Sequence, residues 1–84
     1  MLRAKFSTLK QILNELGFVM KRTPGKSALF KNPETGNWFL YSDYADDEEV
    51  LASDLAAARY QLDSRGYLSR EEFEELLEER RVAG

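Results

Sequence analysis

Gly25-Lys26-Ser27, inside "RTPGKSALF", are the residues whose types most directly suggest chemistry, because those three letters close a phosphate-binding loop. The full motif, G-x-x-x-x-G-K-[ST], requires an earlier glycine for the turn around the phosphates and a helix opening at the lysine. Here the earlier position is Met20, and Ala28-Leu29-Phe30 continues as a strand pattern. A β-turn built on Pro24 and Gly25 explains the same residues, so no nucleotide is expected. The stretch "QLDSRGYLSREEF" (61–73) is the second candidate, a calcium loop with Gly66 at its sixth position and Glu72 at its twelfth. Its first and fifth positions are Gln61 and Arg65, which leaves Asp63 and Glu72 as the carboxylates for an ion that needs 6–8 oxygens. Ser69 with Glu72 also fits a capping box, and Leu68 with Phe73 the accompanying hydrophobic staple. The acidic runs 46–49 and 71–79 hold enough carboxylates for a magnesium-dependent nuclease, but nothing fixes two of them opposite each other. No metal and no cofactor is expected.

The chain has no Cys and no His. That excludes a zinc site of the usual kind, a thiol nucleophile, a Ser-His pair and imidazole acid–base catalysis. The basic side chains are the more serious candidates. Lys21, Arg22, Lys26 and Lys31 fall on two short strand-like runs and the turn between them. With Trp38, Phe39 or Tyr41 on the next run they would form a basic surface with a stacking aromatic. The competing reading puts the aromatics in the core and leaves the cations scattered.

The elements that must position these residues follow from periodicity. Phe6, Leu9, Ile12, Leu13 and Leu16 fall on one helical stripe, with Gly17 as terminator and a start either at a Thr8–Gln11 capping box or two or three residues earlier. The runs 18–22, 27–31 and 37–41 are short, aromatic and β-branched, and turn residues separate them. Two consecutive hairpins of this length predict an antiparallel three-stranded meander. Trp38 and Leu40 point to one face of the third strand and Phe39 and Tyr41 to the other. That suits a central strand, or a sheet with helices on one face and a partner on the other. After the acidic connection 43–53, where Asp46 and Glu49 are a weaker cap, a helix is expected from about Ser53 to Asp63, closed by Gly66. A last helix, Ser69 to about Arg81, should bury Phe73, Leu76 and Leu77. The expected fold is α+β, in the order αβββαα, with helices packed on a three-stranded antiparallel sheet.

With 84 residues, 43% hydrophobic and 32% charged, the chain is expected to form one domain over 1–84. No stretch approaches the ~20 apolar residues of a membrane span, and the first residues lack the apolar run of a signal peptide. The expectation is a cytoplasmic protein without membrane contact. The net charge of −3 hides a split of +5 over residues 1–40 and −8 over 41–84. Such a split gives either a face that attracts polyanions or solvated surface on both halves.

"LKQILNELGFVMKRTPGKSALFKNPETG" and "SDLAAARYQLDSRGYLSREEFEELL", in this order and spacing, resemble the HicA (YcfA-like) toxins of toxin–antitoxin pairs over about residues 8–77. The resemblance implies a double-stranded-RNA-binding-like fold, RNA as substrate and a HicB-like antitoxin as partner. It also implies a catalytic His in the turn before the second strand. That turn reads Gly25-Lys26-Ser27 here. RNA cleavage by 2′-OH attack needs a base titrating near neutrality, and neither an exposed lysine nor a serine without a neighbouring base supplies one. The expectation is therefore a non-enzymatic relative that binds structured RNA through Lys21, Arg22, Lys26, Ser27 and Lys31. The alternative is a protein-interaction module using the same sheet face or the acidic 43–52 loop, and an exposed apolar patch around Trp38 or Tyr41 would favour it. A divergent ribonuclease using Lys26 is the third reading.

Overall fold

A computed structural model describes residues 3–23 and 25–83, with side chains through residue 80. The order is α1 (Phe6–Glu15), β1 (Val19–Thr23), β2 (Ser27–Lys31), β3 (Trp38–Ser42), α2 (Ala52–Ser64) and α3 (Arg70–Ala83). This is the expected α+β arrangement, with element ends within one or two residues of the periodicity. The sheet order is β1-β2-β3, both pairings antiparallel. The central strand is therefore β2, and β3 is an edge. Of the two environments open to the third strand, helices on one face with the other face bare is the one found.

Alternation along the strands separates the faces. Met20, Ala28, Phe30, Phe39 and Tyr41 face the helices and join Phe6, Leu9, Ile12, Leu13, Leu55, Leu62, Phe73 and Leu77 in one core. The turn from α1 into β1 and the turn from α2 into α3 are built alike. Gly17 at φ +96° donates its N–H to the Asn14 carbonyl, and Phe18 donates to that of Leu13. Gly66 at φ +80° and Tyr67 repeat the pattern on Asp63 and Leu62. These are Schellman ends, for which a residue without Cβ at the left-handed position is the ordinary choice. A Cβ on Gly17 would also come within 3.3 Å of Asn32 Nδ2. Asn32 is the buried polar side chain that ties the β2–β3 hairpin to the end of α1, donating to the Leu16 carbonyl and accepting from the Glu34 and Thr35 N–H groups.

Caps divide into one that local sequence specifies and one that it does not. At α3 the capping box forms: Glu72 N–H donates to Ser69 Oγ at 3.1 Å and Ser69 N–H to Glu72 Oε1 at 3.0 Å. At α1 the expected Thr8–Gln11 box is absent because the helix starts at Phe6, placing Thr8 inside the first turn. Its leading N–H groups are satisfied from far along the chain. Phe6 donates to the Glu48 carbonyl at 2.9 Å and Ser7 to that of Asp46 at 3.0 Å. The acidic connection thus caps α1 through its backbone rather than starting a helix at Asp46, and a Lys5–Glu49 bridge continues the contact.

Two predictions follow from these contacts. Ser69→Ala should cost about 1 kcal/mol, or roughly 4–8 °C in Tm for a domain of this size. Thr8→Ala should cost much less, because that hydroxyl caps nothing; thermal melts of the two variants compare them. The second concerns Tyr41 and Tyr44. Burial, and then the nearby Asp54, push the Tyr41 phenol well above its ordinary range. Burial and the 2.6 Å hydrogen bond donated to Asp54 raise that of Tyr44. Both hold their protons more tightly folded than unfolded. Their contribution is complete below about pH 10 and is lost as pH rises through the folded values. Tyr41 Oη is buried with no hydrogen-bond partner among the described residues. Tyr41→Phe should therefore leave stability at neutral pH unchanged or higher and move alkaline unfolding, followed by circular dichroism, to higher pH.

Candidate functional site

The register sets three rows of side chains across the face turned away from the helices. They are Val19–Lys31–Trp38, Lys21–Leu29–Leu40 and Thr23–Ser27–Ser42. Val19 is 59% exposed, and Trp38 and Leu40 are each 57% exposed. Leu29 lies half-buried between Lys21 and Leu40. The result is an apolar patch of four side chains crossed by two lysines, with a hydroxyl row at one end and no carboxylate among the nine residues. Phe39 and Tyr41 belong to the core; of the aromatics weighed for stacking, Trp38 is the exposed one.

The five residues expected to contact RNA separate into groups. Lys21, Ser27 and Lys31 share the outer face with Trp38. Lys26 sits in the turn beside them, exposed. Arg22 has the opposite parity. It faces the helix side, 5.5 Å from the Phe6 ring centroid and 3.5 Å from Asp43 Oδ1. It is a structural cation that holds the end of β3 to α1. Alternation within 18–22 already carried that signal, since Lys21 and Arg22 are neighbours and cannot share a face.

The GKS turn is held from within. Lys26 N–H donates to the Thr23 carbonyl at 3.0 Å, and Gly25 takes φ +74°. Gly25 N–H donates to Asp43 Oδ2 at 2.8 Å. A carboxylate of the chain thus occupies the backbone donor that a phosphate would need, and Ser27 opens a strand rather than a helix. Pro24 lies outside the described residues. The calcium-loop candidates are likewise engaged, Asp63 with Arg70 at 3.4 Å and Glu72 in the cap. No cluster of three or more metal-ligating side chains occurs among the described residues.

The charge split resolves into internal pairing. Arg3 bonds Glu49 at 2.7 Å, Lys10 bonds Asp46 at 2.7 Å and Arg22 faces Asp43. The Lys10 hydrogen bond holds the Asp46 carboxyl below its ordinary range. Three cations of the basic half are thereby matched to acids of the 43–49 connection. Lys21, Lys26 and Lys31, all on the β1–β2 hairpin, have no ion-pair partner among the described residues.

Beside the patch, a groove of about 320 Å³ runs between β3 and α2. Trp38, Phe39, Leu40 and Tyr41 form one wall, and Ala57, Ala58 and Arg65 contribute to the other. Val19, Leu29 and Arg65 were not weighed as site residues from sequence, whereas parity had already set Leu40 beside Trp38 on one face. Strand parity could have placed Val19 and Leu29 as well, but Arg65 depends on how α2 lies against the sheet. No helix among the described residues is long and apolar enough to cross a membrane. Comparison with protein-family models, with curated proteins and with solved structures finds no match to this chain.

Proposed function

We propose that the chain is a non-catalytic protein-interaction module whose contact surface is the outer face of its sheet. The observation that carries this reading is the exposed patch of Val19, Leu29, Trp38 and Leu40. Contiguous apolar surface on a small domain marks interaction sites, and a tryptophan ringed by lesser contacts is the usual energetic centre of such a surface. Three of the four side chains are aliphatic, which suits packing against a protein better than stacking on bases. The non-catalytic part rests on the residues. The turn that in HicA toxins would carry a His is closed by Asp43, which accepts from Gly25 N–H, and Lys26 projects from it with no ion-pair partner among the described residues.

A second reading is supported by a different observation. Lys21, Ser27 and Lys31 stand with Trp38 on a face without carboxylates, next to Lys26. This favours a HicA-like relative that still binds structured RNA, with a HicB-like protein as the corresponding protein partner.

One pair of experiments tests the two. A photo-reactive amino acid at position 38 or 40 should crosslink a protein in the source cells, and one at position 60, equally exposed but on α2, should not. Equal adducts at all three positions would sink the interaction reading. Fluorescence anisotropy of a labelled structured RNA tests the other reading, with wild type beside a Lys21, Lys26 and Lys31 triple alanine. Salt-sensitive binding lost in the triple variant would establish RNA as the ligand, and no binding at low salt would remove it.

A further inference from the structure

The groove beside β3 is lined by four consecutive strand residues, Trp38 to Tyr41. Successive strand side chains point to opposite faces, so a groove reached by all four lies along the free edge of the strand and not over either face. The backbone there is unsatisfied in a regular way. Asn32 N–H donates to the Asn37 carbonyl at 2.8 Å, in register with the pairs that follow. Antiparallel pairs alternate between hydrogen-bonded and non-hydrogen-bonded, so Phe39 and Tyr41 bond to β2. The N–H and C=O groups of Trp38 and Leu40 point into the groove. No turn, cap or side-chain bond among the described residues uses them. Two donor–acceptor sets two residues apart match the repeat of an extended backbone and of no other element.

The groove also has a direction. Tyr44 Oη donates to Asp54 at 2.6 Å, and Asn37 Nδ2 donates to Tyr67 Oη at 2.9 Å. These anchors run β3 antiparallel to α2, with Arg65 at the Trp38 end and Asp54 at the other. Among the arginines whose side chains are described, Arg65 alone has no ion pair. Ala57 and Ala58 leave room for side chains that an added strand would turn inward.

Resting on the protein-interaction reading, we infer that β3 accepts an extended segment of another protein as a fourth strand. The segment runs antiparallel to β3 and carries a carboxylate on its C-terminal side, where Arg65 meets it. Edge-strand addition draws affinity from main-chain hydrogen bonds and specificity from the side-chain pockets. The segment's N-terminal side arrives at Asp54, so the two ends of the groove agree on one direction. A second copy of this chain fits less well. Its β3 would bring Asp43 toward Arg65, and that carboxylate already holds Gly25 N–H and faces Arg22.

The test uses the full chain and an acetylated peptide alternating threonine and valine and ending in glutamate, taken to millimolar concentration. Amide exchange is read by NMR. Bound peptide should slow exchange at Trp38 and Leu40 by about tenfold or more while Phe39 and Tyr41 stay as they were. A glutamine-ended, amidated peptide should bind several-fold more weakly, and Arg65→Glu should abolish the preference for glutamate. Ala57→Arg, an exposed position that would fill the groove, should abolish binding. A peptide N-methylated at the amides that would face β3 should not bind. If the N-methylated peptide binds equally well, or if binding leaves the two amides unprotected, strand addition is overturned while the outer-face reading stands. Protection that rises with protein concentration alone would assign the edge to a second copy and overturn the inference. Absence of any binding at millimolar peptide would overturn it as well.

Discussion

The placement of Phe6 is the constraint on which the rest of the molecule depends. Its ring is fully buried, stacked on Tyr44 at 5.5 Å between centroids and edge-on to Phe30 at 6.0 Å, with the Arg22 guanidinium above it. Its N–H is held by the Glu48 carbonyl. One residue thus joins α1, the central strand and the 43–50 connection. The connection cannot leave without stranding the first N–H groups of the helix, which have no partner within it. Its carboxylates are brought to the N-terminal end of α1, where the helix dipole favours negative charge, and within reach of Arg3 and Lys10.

That docking decides which charges remain available. Three acids of the connection, Asp43, Asp46 and Glu49, are used to pair Arg22, Lys10 and Arg3 of the basic half. The hairpin lysines are left over, on or beside an apolar face that no helix covers. All three helices pack on the opposite side, since Phe6, Leu9, Leu55, Leu62, Phe73 and Leu77 are needed to enclose Phe30 and Phe39. A domain of this size has too few helical residues to cover both faces of its sheet. The bare face and the open β3 edge are therefore consequences of how the core is made.

Elements with local causes were legible in the sequence. The stripe from Phe6 to Leu16, the Ser69–Glu72 box and the glycines at 17 and 66 each carry their explanation within a few residues. The α1 start was legible only as Thr8 or two or three residues before it, because the cap that selects the earlier start comes from carbonyls some forty positions away. The edge position of β3 was readable in principle: a meander of two hairpins puts the middle strand in the centre. The separation of Arg22 from Lys21 was readable from parity. What could not be read was Arg65, whose place beside Trp38 depends on the approach of α2 to the sheet. Nor did the sequence reveal that Asp43 fills the turn that imitates a phosphate site.

The central claim is that the sheet has one covered face, one bare face and an open β3 edge in the isolated chain. Native-state amide exchange along residues 38–42, at low protein concentration and without any added ligand, tests this most directly. Slow exchange at Phe39 and Tyr41 with fast exchange at Trp38 and Leu40 is the predicted alternation. Uniform protection across the strand would mean that the edge is already paired, and would contradict the arrangement from which the binding surface is argued.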